Sequence, residues 1–192
     1  MRESFQFFRA FARNPFVVGS ILPSSRKTAA AMAAGVHVSS DSIVLEIGCG
    51  TGALTEAIRE ILPEGNCYLG IEINDGLVKL LRKRFPDLRF VCGDAGDAFS
   101  IHQQSGLGKV GTIVSGLPFT SLPKETSRNV FREIDRFMAE GCAFRTIQYE
   151  IAYRLPPAIA FRRRMEERYG KAERSRLIWR NVPPVYTLTW RT

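Results

Sequence analysis

The chain has 192 residues, of which 45% are hydrophobic and 24% charged, enough to bury one substantial core in a single domain spanning 1–192. No run approaches the ~18 apolar residues needed to cross a bilayer and no charged-then-apolar leader ends in a cleavage site, so a cytoplasmic location is expected. A net charge of +8 favours a polyanionic partner, either nucleic acid or an anionic membrane surface, while four scattered cysteines (Cys49, Cys67, Cys92, Cys142) with only His37 and His102 beside them argue against a metal site.

Residues 1–14 carry Phe5, Phe7, Phe8 and Phe11 among Arg2, Arg9 and Arg13, and Asn14-Pro15 supplies a stop, which predicts a short helix. Its composition suits a membrane interface, yet its apolar arc is broad enough to pack on the domain, so residues 1–35 form either a docking segment or a helical cover. A loop over 19–25 precedes an alanine-rich helix, 26–34, with Ser24 and Ser25 as candidate caps. Element types then alternate: strand 43–47, helix 52–62, strand 67–72, helix 75–85, strand 88–92, a variable stretch, strand 110–115, helix 123–139 and strand 142–149. Such a series predicts an α/β fold of three layers, a mostly parallel Rossmann-like sheet between two helical layers, with N-terminal helices added. Pro156-Pro157 opens a further helix that runs to Tyr169-Gly170, and 182–190 reads as a last strand, antiparallel if it pairs with 142–149.

Chemistry concentrates where strands end. Gly48, Gly50 and Gly52 follow the first strand on alternate positions, where a backbone free of Cβ atoms lets a ligand approach. Twenty residues after Gly52, Glu72 ends the second strand, where a carboxylate can accept both hydroxyls of a ribose. The spacing of Gly48, Gly50 and Ala53 also fits a dinucleotide fingerprint, and a glycine turn that serves packing alone has the same appearance. Glu46, just before the loop, tips the balance: a carboxylate there complements a cationic amino-acid moiety, directly or through water. Gly93-Asp94-Ala95 follows the third strand, and Asp94 can accept from an exocyclic amine such as that of adenine or cap a helix. Ser115-Gly116-Leu117-Pro118-Phe119 follows the fourth strand, at the edge where open α/β sheets present groups to ligands.

In this order, LEIGCGTGALT, GIEIN, GDA and SGLPF resemble the class I AdoMet-dependent methyltransferases, and the resemblance covers about Phe8 to Trp190. An antiparallel last strand is typical of that family and foreign to the all-parallel dehydrogenase sheet. Two branches are similar: the rRNA adenine dimethyltransferases and the bacterial phospholipid N-methyltransferases. The rRNA enzymes have an NLPY or NPPF motif whose asparagine amide holds the target amine, and here Gly116 stands in its place with the aromatic ring kept as Phe119. The lipid enzymes resemble this chain in SGLPF, in NPFVVGSILPSS and in NVPPVYTLTW. Their resemblance implies S-adenosyl-L-methionine (AdoMet) as cofactor and N-methylation of phosphatidylethanolamine towards phosphatidylcholine, at the inner membrane surface, by a peripheral protein. It implies that Glu46, Gly48, Gly50 and Gly52 surround the methionine part, Glu72 the ribose and Asp94 the adenine, with Ser115 also in the cofactor site.

Phe119, Tyr149 and Tyr186 are candidates for an aromatic lining suited to an increasingly cationic amine, and each can equally be core. Methyl transfer to an amine needs a neutral nitrogen in line, so Glu150 and Tyr149 are the candidate proton acceptors. Arg162, Arg163 and Arg164 add basic charge for a membrane or a solvated face. An RNA adenine methyltransferase and a non-catalytic AdoMet-binding protein are the rival readings, and no metal is expected.

Overall fold

The computed structural model describes residues 25–37 and 41–192, so the expected first helix and most of the NPFVVGSILPSS stretch lie outside the described residues. One seven-stranded sheet has the order β3-β2-β1-β4-β5-β7-β6. Its strands are β1 Ser42–Ile47, β2 Tyr68–Glu72, β3 Arg89–Cys92, β4 Lys109–Ser115, β5 Ala143–Tyr149, β6 Glu173–Arg174 and β7 Val185–Trp190. Pairing is parallel from β3 across to β5, and β7 runs antiparallel to β5 with Phe144 opposite Trp190 and Tyr149 opposite Val185.

Among the described residues six helices flank it: α1 Arg26–Ala33, α2 Ala53–Arg59, α3 Asp75–Arg84, α4 Ala98–Ser105, α5 Lys124–Ala139 and α6 Pro156–Tyr169. Successive strand residues point to opposite faces. Val44 therefore joins Met32, Ile58, Val78, Leu81 and Phe85 on the side of α1, α2 and α3. Leu45 and Ile47 join Phe131, Phe137, Phe161 and Met165 on the side of α4, α5 and α6. A sheet covered on both faces needs strands that are apolar almost throughout, as β1 and β2 are. The chain winds outward from β1 to β3 over one face, then returns to β4 and β5 over the other. Strand order thus reverses between β1 and β4, the switch point at whose carboxyl ends open α/β sheets form their ligand crevice.

Local chemistry sets most boundaries. The Ser25 hydroxyl accepts from Thr28 N to cap α1, and the Asn74 side chain accepts from Leu77 N to cap α3, which ends in Arg82, Lys83 and Arg84 against its dipole. Four expectations are corrected. The helix expected over 52–62 stops at Arg59, because Pro63 disfavours helical backbone before it; Ile61 and Leu62 donate three residues back, to Ile58 O and Arg59 O. The stretch expected to be variable holds a 3₁₀ turn at Ala95–Asp97 and then α4, whose Phe99 N donates to the buried Glu133 on α5. The last strand starts at Val185 rather than 182, since Pro183 and Pro184 have no N–H to offer a ladder. Lastly, the two-residue β6 extends the sheet beyond β7, where no strand is expected.

Candidate active site

The glycine loop joins Ile47 to α2 with positive φ at Gly48, Gly50 and Gly52. Two of these glycines do different work. A Cβ on Gly52 would stand 2.7 Å from Phe85 Cε2 and 2.8 Å from Leu81 Cδ2, so its bare backbone lets α2 start against α3. A Cβ on Gly50 would meet nothing within 4 Å, so this part of the loop borders open space. Glu72 reaches across from β2 and fixes the loop: its Oε2 accepts from Gly50 N at 2.9 Å and its Oε1 from Asn74 N at 3.0 Å. An ionised carboxylate has about four acceptor positions, so two backbone bonds leave room for two hydroxyl donors.

Glu46 lies beneath the loop, fully buried, on the α2 face of the sheet. Its Oε2 accepts from Tyr68 Oη at 2.6 Å and from Thr55 Oγ1 at 2.9 Å, whereas Oε1 is buried without a partner. Burial pushes the carboxyl up from 4.5 to about 7 against the pull of those two hydroxyls. The same burial pushes the Tyr68 phenol and the Cys49 thiol well up, so both are neutral at physiological pH. Tyr68 reaches Glu46 because Gly70, paired with Glu46 in the sheet, has no side chain; a Cβ there would lie 2.8 Å from Tyr68 Oη. Sequence reasoning misses Tyr68, Thr55 and Asn74. The available signal is Gly70, a glycine inside a strand, which marks a close approach.

Asp94 caps the turn after β3, its Oδ1 accepting from Gly96 N at 2.8 Å, and its half-buried position keeps it at the crevice edge. Ser115 is buried at the end of β4, where its Oγ donates to Ile47 O and accepts from Leu117 N. Gly116 is exposed, and a Cβ there would lie 3.2 Å from Gly48 O, so the fourth motif abuts the glycine loop. Loop, Glu72, Asp94 and Ser115 therefore share the carboxyl edge of the sheet.

The aromatic candidates divide. Phe119 is half-buried and belongs to a ring cluster with Phe161 at 5.1 Å, Phe131 at 5.5 Å and Phe144 at 5.8 Å, on the α6 side. Tyr186 is on that side too, 4.8 Å from Tyr153, and Arg174 lies over both rings. Tyr149 falls on the opposite face by alternation from Arg145, whose guanidinium reaches Ala31 O on α1. Burial raises the Tyr149 phenol above 10, while Glu150 is exposed in the turn that follows, its backbone N donating to Pro184 O. The structure thus does not gather Phe119, Tyr149 and Tyr186 into one lining. Nor is the arginine run a free stripe: Arg162 binds Gln148 Oε1 and Tyr153 O, Arg163 pairs with Glu167, and Arg164 covers the Phe131 ring.

Comparison with known proteins agrees with this geometry. The family described as a methyltransferase domain matches residues 44–141. The chain is 30% identical over 150 residues to the ornithine lipid N-methyltransferase of Singulisphaera acidiphila, covering 77% of this chain and 78% of the relative. It is 30% identical over 113 residues to the ribosomal RNA small subunit methyltransferase A of Chlorobaculum parvum, which is 59% of this chain but only 38% of that relative. Among solved structures, magnesium protoporphyrin IX methyltransferase from Synechocystis PCC 6803 with bound SAM shares the fold, with a TM-score of 0.56 at 13% identity over 86% of this chain and 78% of its own. With the strand order, the glycine loop and the family match together, the chain belongs to the class I AdoMet-dependent methyltransferases.

Proposed function

We propose that this enzyme methylates the amine of a membrane-lipid head group at an anionic, cytoplasm-facing membrane surface, with phosphatidylethanolamine as the substrate expected from its sequence. The observation that carries this reading is the 30% identity to an ornithine lipid N-methyltransferase across more than three quarters of both chains. Ornithine lipid and phosphatidylethanolamine both present a primary amine on a lipid, so one methyl-transfer chemistry serves either. No described helix is long and apolar enough to cross a membrane, which is compatible with attachment from one side.

The residues fit AdoMet on three counts: open space at Gly50 where a Cβ would intrude, unused acceptor positions on Glu72, and the orphaned Oε1 of Glu46 facing the need for a cation. In this reading Glu46, Gly48, Gly50, Gly52 and Ser115 surround the methionine part, Glu72 holds the ribose and Asp94 the adenine amine. When bound, AdoMet supplies an electrophilic methyl group on a sulfonium. The protein's share is positioning: the attacking nitrogen must be neutral, in line and shielded from water. Exposed Gly116 leaves room for a head group beside the loop, and Phe119 offers a ring face that tolerates growing positive charge as hydrogen-bond donors are lost. Tyr149, held as a phenol by burial, is suited to accept a hydrogen bond from the amine, and exposed Glu150 to pass its proton to water.

An RNA substrate has the second relative in its favour, but that match spans little more than a third of the relative, and Gly116 lacks the amide that would grip a planar adenine amine. Labelled AdoMet offered with phosphatidylethanolamine vesicles, ornithine-lipid vesicles and extracted ribosomal RNA separates the readings. Label in either lipid supports the proposal and names the substrate. Label in RNA alone replaces it.

A further inference from the structure

Large apolar side chains stand exposed together at the carboxyl edge of the sheet beside β5. Ile151 is 64% exposed, Leu155 54%, Trp179 74% and Val182 76%. Two connections bring them side by side. Glu150 N donates to Pro184 O, which ties the turn holding Ile151 to the loop before β7. Ile178 and Val185 exchange backbone hydrogen bonds, which presents Trp179 and Val182 at the tip of that loop. The loop is braced rather than slack: buried Asn181 accepts from Ser25 N and Thr28 Oγ1 and donates to Pro183 O. A rigid loop that holds tryptophan and valine in solvent has stabilised an arrangement that burial would otherwise oppose.

The charge around this rim names its partner. The two connections themselves, residues 150–155 and 176–184, hold Arg154, Arg176 and Arg180 against Glu150 alone. Arg154, Arg176 and Arg180 are exposed and form no ion pair among the described residues, and all three flank the apolar set in sequence. Apolar side chains with a tryptophan, interspersed along the chain with exposed arginines outside any ion pair among the described residues, match the boundary between acyl chains and anionic head groups. We infer that the rim formed by Ile151, Leu155, Trp179 and Val182 inserts into an anionic bilayer and so aims the crevice at the lipid amine. The inference rests on the lipid reading and adds to it a docking surface distinct from residues 1–14. The rim lies on the same carboxyl edge of the sheet as Gly116, one strand away, and Glu72, three strands away, so a bilayer seated on it brings head groups to that edge without extracting the lipid.

The chain's two tryptophans make the test direct, since Trp190 is buried and stacked on Phe144 while Trp179 is in water. Emission is recorded with vesicles of phosphatidylethanolamine and phosphatidylglycerol, with and without brominated acyl chains. A blue shift and quenching are expected, weakened by salt and absent from the Trp179→Ser variant, whose remaining tryptophan is shielded. The Trp179→Glu/Val182→Asp variant should bind these vesicles at least tenfold more weakly and methylate their lipids correspondingly slowly. It should turn over a dispersed short-chain phosphatidylethanolamine at the wild-type rate, and its AdoMet affinity by calorimetry should be unchanged, which shows that it folds. Vesicle binding without a change at Trp179, wild-type activity of the double variant on vesicles, or a dimer in sedimentation that this variant disperses would each overturn the inference. Insertion of Trp179 with no methylation of vesicle or short-chain lipid would support the docking surface and remove the lipid-substrate reading, so the two fail separately.

Discussion

Replacing Glu72 with alanine tests the cofactor site at its centre. In the protein alone, Gly50 N and Asn74 N lose acceptors at 2.9 and 3.0 Å. Both donors are at a crevice edge that water can reach, so the expected loss of stability is ~1–2 kcal/mol rather than the full cost of sealed, orphaned amides. For the ligand, the two charge-assisted hydrogen bonds proposed from ribose hydroxyls would disappear, and the loop loses the strut that holds Gly50 in place. Water recovers part of this, which sets the expected weakening of AdoMet at about 1–3 kcal/mol, or roughly five- to 150-fold in dissociation constant. Isothermal calorimetry measures the affinity, and urea denaturation of the same sample shows whether the variant is folded at the titration temperature. Glu72→Gln keeps one carbonyl oxygen for one backbone N–H but turns an NH₂ group towards the other, so it should fall between wild type and alanine. A folded Glu72→Ala protein that binds AdoMet with unchanged affinity removes Glu72 from the cofactor site.

Gly50→Ala should cost about 1–2 kcal/mol of stability for its left-handed backbone but lower AdoMet affinity at least tenfold, because its methyl enters space the ligand needs; equal affinity in calorimetry contradicts this. Gly52→Ala should do the converse, driving a methyl into Phe85 and Leu81 and costing several kcal/mol in urea midpoint, while any folded fraction still binds. Glu46 titrates near 7 in the folded protein against 4.5 unfolded, so the native state holds the extra proton between those values. Its contribution is therefore fully present below pH 4.5 and declines as pH rises through 7, by about 3 kcal/mol in all; a wild-type minus Glu46→Gln difference in unfolding free energy that stays flat from pH 4 to 8 would sink this. Phe119→Ala should lose ~2–3 kcal/mol by opening the ring cluster, and Phe119→Leu should recover most stability but not turnover if the ring face meets the amine. Full recovery of turnover by leucine would make Phe119 a packing residue.

Features written in consecutive residues were legible in the sequence, and features held by distant partners were not. Strand β1, the glycine loop and α2 follow one another within a short span, so the sheet's first crossover and its crevice could be read before any coordinates. The antiparallel last strand was equally readable from its order after β5. Helix α4 was not: Asp97 makes no side-chain cap, and Phe99 N is satisfied by Glu133, 34 residues further on. Residue pattern alone gives no sign of a cap supplied by another helix. Arg145 is a similar case, a buried charge inside β5 held by Thr187, Thr189 and the carbonyl of Ala31, all distant in the chain. Glu46 stands out in the sequence as a carboxylate inside an apolar strand, but its raised pKa does not, because the burial that causes it comes from elements packed on it later in the chain, while Tyr68 and Thr55 oppose the shift.

The division of the aromatic candidates between sheet faces bears on how the site works. Alternation along β5 sends Phe144 towards α6 and Tyr149 towards α1, so no single wall of rings can include both. An acceptor amine lying over the ends of β4 and β5 would instead meet Phe119 from one side and Tyr149 from the other, with exposed Gly116 between them. That arrangement suits a small, flexible head group better than a flat base, which needs a ring stacked on its whole face and an amide at its edge. The backbone N of Glu150, bound to Pro184 O, joins this acceptor end to the loop that carries Trp179. A bilayer seated on that loop, as inferred above, would therefore be tied by this one backbone hydrogen bond to the turn that follows Tyr149.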